Sequence, residues 1–135
     1  MSRVEWERTR PLFEERPNVL SVWAFGSAQG GEIRPGGDLD VAVLFATAPS
    51  LDELADLRAD LQQLLGQEDV DLVALNRAPS LLAFEAVSGR PFFCRDPGTR
   101  AVFVSLTARQ YEDDRAFLER GLAAGRKEFQ APPRD

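Results

Sequence analysis

A chain of 135 residues with an apolar share of 44% is sized for one domain with a modest core, and its composition excludes wholesale disorder. A net charge of −6, no histidine and scattered arginines, with Lys127 the only lysine, leave no basic track for a nucleic-acid backbone. The N-terminus MSRVEWERTR lacks an apolar signal segment, and no apolar stretch approaches the ~20 residues of a membrane span, so a soluble cytoplasmic protein is expected.

Residues 4–15 read as a short helix with Val4, Leu12 and Phe13 inward, Pro11 being a candidate breaker. Val19 to Phe25 is a β-branched and aromatic run that stops at Gly26, which predicts a strand. Ala28 to Gly37 holds four glycines and a proline and reads as a loop, with room for a helical turn after Ser27. Leu39 to Phe45 is a second strand. Ser50 to Leu65 gives the clearest helix: Ser50 and Glu53 form a capping-box pattern, leucines recur at helical spacing, and Gly66 supplies the stop.

Val70 to Leu75 follows as a third strand, Ser80 to Val87 as a short helix closed by Gly89, and Pro91 to Arg95 as a fourth strand. Cys94, the single cysteine, sits in that apolar run and is expected to be a buried structural thiol; no intrachain disulfide can form. From Thr99 the chain reads as helical, chiefly Thr107 to Phe129, against the β character of Ala101 to Val104. The expected fold class is α/β (α+β): a small mixed β-sheet with helices packed on one face. The division expected is a core over 1–98, a helical extension over 99–130 packed on it, and a flexible tail over 131–135.

The chemistry is concentrated in two stretches. Gly26-Ser27 ends the first strand, and after ten intervening loop residues Asp38-Leu39-Asp40 opens the second. Side chains two apart on a strand share a face, so Asp38 and Asp40 present paired carboxylates. At ~5 Å and an effective dielectric near 20 they repel by about 3 kcal/mol, a repulsion that a divalent cation in a cleft would reverse. Asp71 interrupts the apolar strand Val70-Asp71-Leu72-Val73. If the second and third strands are neighbours, it joins the pair around one or two Mg²⁺ ions, as in-line nucleotidyl transfer requires. Gly26 allows close approach of a phosphate to the backbone, and a turn starting at Ser27 would offer N–H groups and a hydroxyl. Each motif alone is common in acidic chains; their order and spacing carry the signal.

In that order, the sequence resembles the minimal nucleotidyltransferases (MNT) of the DNA polymerase β superfamily, in particular the antitoxins paired with HEPN-domain toxins. The resemblance covers nearly the whole chain: Gly26-Ser27, Gly31 in the loop, Asp38-x-Asp40, Asp71, the stretch Val87 to Asp96 and the helical tail with Tyr111. It implies a polymerase β-like fold, ATP as substrate with Mg²⁺, triphosphate binding by Gly26 and Ser27, metal held by Asp38 and Asp40, and activation of the acceptor hydroxyl by Asp71. It also implies an AMP acceptor, a tyrosine on a HEPN-type toxin, which the modification would silence. Two departures stand out: Gly30 where an arginine is common, and Gly37 where a serine is.

The rival from another class is a non-catalytic antitoxin that blocks its partner by occlusion; a drug-modifying adenylyltransferase ranks lower, since so short a chain leaves little for a small-molecule acceptor pocket. Arg34 reads as a solvated loop cation, Trp6 and Trp23 as packing residues, Tyr111 as a surface or interface residue, and Glu112-Asp113-Asp114 as a solvated helix face.

Overall fold

The computed structural model describes residues 2–129; the expected tail over 131–135 lies outside the described residues. In chain order the strands are β1 (Ser2–Arg3), β2 (Val19–Phe25), β3 (Glu32–Ile33), β4 (Leu39–Phe45), β5 (Val70–Ala74) and β6 (Arg90–Cys94). The helices are α1 (Arg10–Glu14), α2 (Leu51–Leu65), α3 (Ser80–Val87) and α4 (Pro97–Phe129). Four strands form one mixed sheet in the order β5-β4-β2-β6. β2 runs antiparallel to both β4 and β6, while β4 and β5 are parallel and joined through α2.

The expected α/β class with its mixed sheet is found, but the helices divide between the two faces instead of sharing one. Alternation along the strands shows why. Val22, Ala24, Val41 and Val43 pack with Phe13 of α1 and with Leu57 and Leu61 of α2. Trp23, Phe25, Ala42 and Leu44 point the other way and pack with Ala83 and Ala86 of α3 and Phe103 of α4. Because the central strands are apolar on both faces, each face has to be covered.

α2 follows its signals closely. The Ser50 hydroxyl accepts from the Glu53 N–H at 3.1 Å, and Gly66 ends the helix in the left-handed region at φ 61°. At the N-terminus the expected single helix over 4–15 is replaced by a 3₁₀ turn over Trp6–Thr9 and then α1, with Pro11 in its first turn, where a missing N–H costs nothing. Val4 and Phe13 are buried as expected, and Leu12 packs partly buried against the same core. The end of α1 is tied down by Arg95, whose guanidinium donates to the carbonyls of Phe13 (2.9 Å) and Val19 (2.9 Å).

α4 starts at Pro97, two residues before the expected Thr99, and takes in Ala101 to Val104 without interruption. Two features override the β character there. Asp96 caps the helix, accepting from the Gly98 N–H at 3.0 Å and from the Thr99 hydroxyl at 2.8 Å, and Phe103 and Val104 pack on the second core. Farther along, Tyr111 stacks on Phe84 with ring centroids 4.2 Å apart, and the Ser80 hydroxyl donates to Asp114. Beyond Asp114 the helix carries the exposed apolar residues Phe117, Leu118 and Leu122. Among the described residues, no helix is long and apolar enough to cross a membrane.

The loop between β2 and β4 is less free than its glycines suggested. β1 pairs with β3, and the Val4 N–H donates to the Gly31 carbonyl at 2.7 Å. Gly31 sits at φ 94°, and an added Cβ would lie 3.1 Å from the Val4 carbonyl oxygen. This clip holds the loop that separates Ser27 from Asp38.

Candidate active site

Asp38 immediately precedes β4, Asp40 is its second residue, and Asp71 is the second residue of β5. The parallel register places Asp40 directly beside Asp71. Asp40 lies on the face of Ala42 and Leu44, and Asp71 shares it through Val73, which packs in the same core. The three side chains can each offer an oxygen within 4.8 Å of the others. Asp38 and Asp71 are exposed and Asp40 is half-buried, so the cluster opens to solvent at the end of the sheet.

Gly26 borders this cluster. It follows Phe25, the β2 partner of Asp40, and has φ 73°, a left-handed conformation that favours glycine. A Cβ at this position would sit 2.4 Å from the Oδ2 of Asp40. A 3₁₀ turn over Gly26–Ala28 follows, with Ala28 buried as its anchor and Ser27 exposed. The expected turn at Ser27 is therefore present and adjoins the acids. The two departures from the family pattern differ sterically. Gly30 has open space where a side chain would be, whereas a Cβ on Gly37 would press to 3.0 Å from the Arg34 carbonyl oxygen. Arg34 itself is exposed.

Residues 7–98 match the family model described as "Polymerase beta, Nucleotidyltransferase". The chain belongs to this nucleotidyltransferase family. Its fold is also that of solved structures at low identity. A mutant toxin-antitoxin complex, MntA-HpeT, matches with a TM-score of 0.78 at 22% identity, over 90% of this chain and 98% of that one. A toxin-antitoxin structure with AMP-PNP matches at 0.77 and 23%, over the same shares. A third, a tri-AMPylated Shewanella oneidensis HEPN toxin in complex with an MNT antitoxin, matches at 0.65 and 23%, over 82% of this chain and 86% of that one. None of the curated proteins matches the chain.

The donor set of this nucleotidyltransferase suits a hard divalent cation. Three carboxylates converge with no cation of the protein paired to them among the described ion pairs, and oxygen-only ligation is what Mg²⁺ takes. Asp40 registers the crowding. Burial, then the neighbouring charges of Asp38, Asp71 and Glu85, push its pKa from 3.8 up to about 6. A bound divalent ion would oppose these charge contributions with one of the opposite sign.

Two neighbours of the site escaped the sequence reading. Glu85 is the one acid in helix α3, whose apolar residues nearly surround it and give its side chain no direction from sequence. Arg58 lies on α2 and lines, with Asp38, Asp69, Val70, Asp71 and Leu72, a hollow of about 260 Å³ at the edge of β5. Larger hollows of about 480 and 660 Å³ flank α4 and include none of the three acids. The residues read as structural behave so: Trp6 stacks on Phe92 at 4.4 Å and Trp23 is buried against Phe103. Cys94 is half-buried, less enclosed than expected because β6 is an edge strand, and its sulfur accepts from the Ser21 hydroxyl.

Proposed function

We propose that the chain transfers AMP from Mg²⁺-ATP to a tyrosine hydroxyl of a partner HEPN-type toxin and so acts as its antitoxin. The observation that carries this reading is the convergence of Asp38, Asp40 and Asp71 beside the Gly26-Ser27 turn. Gly26 and Ser27 would hold the triphosphate through backbone N–H groups and the Ser27 hydroxyl. Asp38, Asp40 and Asp71 would hold the Mg²⁺, which when bound neutralises charge developing on the phosphates.

The residues of the chain orient the reaction. The tyrosine oxygen bonds to the α-phosphorus in line with the leaving group, the bond from the α-phosphorus to the bridging oxygen breaks, and pyrophosphate departs with the electron pair. Asp71, exposed at the edge of the cluster, accepts the hydroxyl proton and releases it to water. The partner toxin is supported by the fold shared with the MntA-HpeT and MNT–HEPN complexes, one of which holds an AMPylated toxin.

The test pairs the chain with a HEPN-type toxin, Mg²⁺ and labelled ATP, the toxin being whichever one its neighbouring gene proves to encode. Label should reach the toxin, and Asp38→Asn or Asp40→Asn should prevent both labelling and neutralisation. A second reading, neutralisation by occlusion alone, is favoured by the exposed Phe117, Leu118 and Leu122 on α4. It gains if neutralisation survives both substitutions.

A further inference from the structure

β6 is the edge of the sheet away from Asp71. A cleft of about 350 Å³ runs along it and takes in all five residues of the strand, Arg90 to Cys94. One wall is formed by Trp6, Glu7 and Arg10, from the 3₁₀ turn and α1; the other is Arg100, from the first turn of α4. The strand between these walls is paired on one side only. The Arg95 N–H donates to the Leu20 carbonyl of β2 at 2.7 Å, so strand alternation turns the N–H and carbonyl of Cys94 away from β2. A proline and a charge are ordinary guards of such an edge, and Pro91 and Arg90 serve that purpose. Arg10 and Arg100 come from other elements and are not needed for it.

Arg10, Arg90 and Arg100 line this cleft against one acid, Glu7, in a chain whose net charge is −6. Glu7 meets Arg10 at 3.4 Å, while neither Arg90 nor Arg100 forms an ion pair among the described residues. Arg100 is half-buried, a setting in which a guanidinium ordinarily has an acidic partner. Arg95, next along the chain, donates to the carbonyls of Phe13, Glu14, Arg16 and Val19 and adds a further charge without an ion-pair partner among the described residues. The cleft is a positive site on an acidic protein, and its ligand is an anion. The strand edge selects the kind. A phosphodiester backbone does not repeat the alternating donors and acceptors of a strand, and a second copy of this chain would bring the same arginines against these.

We propose that the β6 cleft docks an extended, acidic segment of a partner protein, which joins the sheet as a fifth strand and places carboxylates on Arg10, Arg90 and Arg100. About five residues at ~3.4 Å each cover the length of the strand. Alternate side chains of the segment turn to the Arg10 wall on one face of the sheet and to the Arg100 wall on the other. Main-chain bonds to the edge supply affinity, and the arginines on both walls restrict it to acidic sequences. Arg90 pairs with Ala24, two residues before Gly26, so one end of the docked segment lies beside the turn proposed for the triphosphate. The acids at the other edge stay open.

The probe is a fluorescein-labelled, end-capped peptide, Thr-Glu-Glu-Val-Glu-Glu-Thr, with a counterpart carrying lysine for each glutamate. Binding is followed by fluorescence anisotropy at low salt without Mg²⁺ or ATP, so the outcome is independent of whether the chain transfers AMP. The acidic peptide should bind and the lysine peptide should not. Arg100→Gln should weaken binding about tenfold, the scale of a lost charge-assisted hydrogen bond; Arg10→Gln, at an exposed position, gives the same test if Arg100→Gln fails to fold. In the ¹⁵N-labelled wild type, the Cys94 amide should exchange with solvent more slowly once the acidic peptide is bound. N-methylation of alternate peptide residues should abolish binding in one phase and spare it in the other, because only one edge of the added strand meets β6. Equal binding of both peptides, an unchanged Cys94 exchange rate or indifference to the phase of N-methylation overturns the proposal. So does a single-stranded oligonucleotide that displaces the acidic peptide at equal charge, or a wild-type chain that dimerises and loses its dimer in Arg90→Glu.

Discussion

Along β4, Leu39, Val41 and Val43 turn to one face of the sheet and are fully buried against α1 and α2. Asp40, Ala42 and Leu44 turn to the other, where Ala42 is sealed by the second core while Asp40, two residues away, still meets water. The same strand thus serves as core on one side and as the edge of a site on the other, one residue out of phase. The difference teaches a division of labour. The closed face fixes the strand positions to within the packing of a solid interior, and the open end of the opposite face uses that rigidity to hold three like charges together.

The largest effect should come from the open side. Asp40→Asn is expected to lower transfer by at least ~10³-fold, on the scale of several kcal/mol that a metal clamp contributes, with the fold intact by circular dichroism. Leu57→Ala, on the closed face and fully buried, should do the reverse. It should cost about 3 kcal/mol of unfolding free energy in denaturant titration, with kcat per folded molecule near wild type. If Leu57→Ala cut kcat as deeply as Asp40→Asn, the two faces would not be separable in this way. Gly26→Ala falls between them. The left-handed backbone alone should cost about 1–2 kcal/mol. The added Cβ, 2.4 Å from Asp40 Oδ2, should also disturb the acids, raising KM for ATP and lowering kcat together.

How much of this was visible in the sequence follows from which signals are local. β2, β4 and α2 announce themselves through alternation, leucine spacing and the Ser50 cap, and the shared face of Asp38 and Asp40 follows from strand period alone. Asp71 joined them because β5 turned out to lie parallel beside β4 with matching parity. The two-residue strands β1 and β3 are too short to carry a period, so the clip on the glycine-rich loop stayed hidden. Helix α3 is apolar nearly all round, in the run Ser80-Leu81-Leu82-Ala83-Phe84-Glu85-Ala86-Val87. It gave no direction for burial, which is why the two-sided packing and the approach of Glu85 to Asp40 were missed. Arg58 meets Val70 across twelve residues and an edge that only the assembled sheet possesses.

The smallest effect is also the one that isolates the charge on Asp40 from its shape. Its pKa is raised in the folded chain, to about 6 against an ordinary 3.8, so the native state holds this proton more tightly than the unfolded state does. Below pH ~4 both states are protonated and the group contributes nothing. Between pH ~4 and ~6 the unfolded chain ionises first, and stability falls as pH rises; above pH ~6 the whole penalty is present. Unscreened, that difference amounts to about 3 kcal/mol, and solvent screening at a half-exposed site reduces it to about 1 kcal/mol. Urea titrations of wild type and Asp40→Asn without metal should therefore coincide near pH 4 and diverge by about 1 kcal/mol in favour of the variant by pH 7.5. Millimolar Mg²⁺ at pH 7.5 should stabilise the wild type and leave the variant nearly unchanged, reversing the order. Curves that stay parallel from pH 4 to 7.5 would mean that the open end of the sheet holds its acids without strain, and the contrast with the closed face would then rest on burial alone.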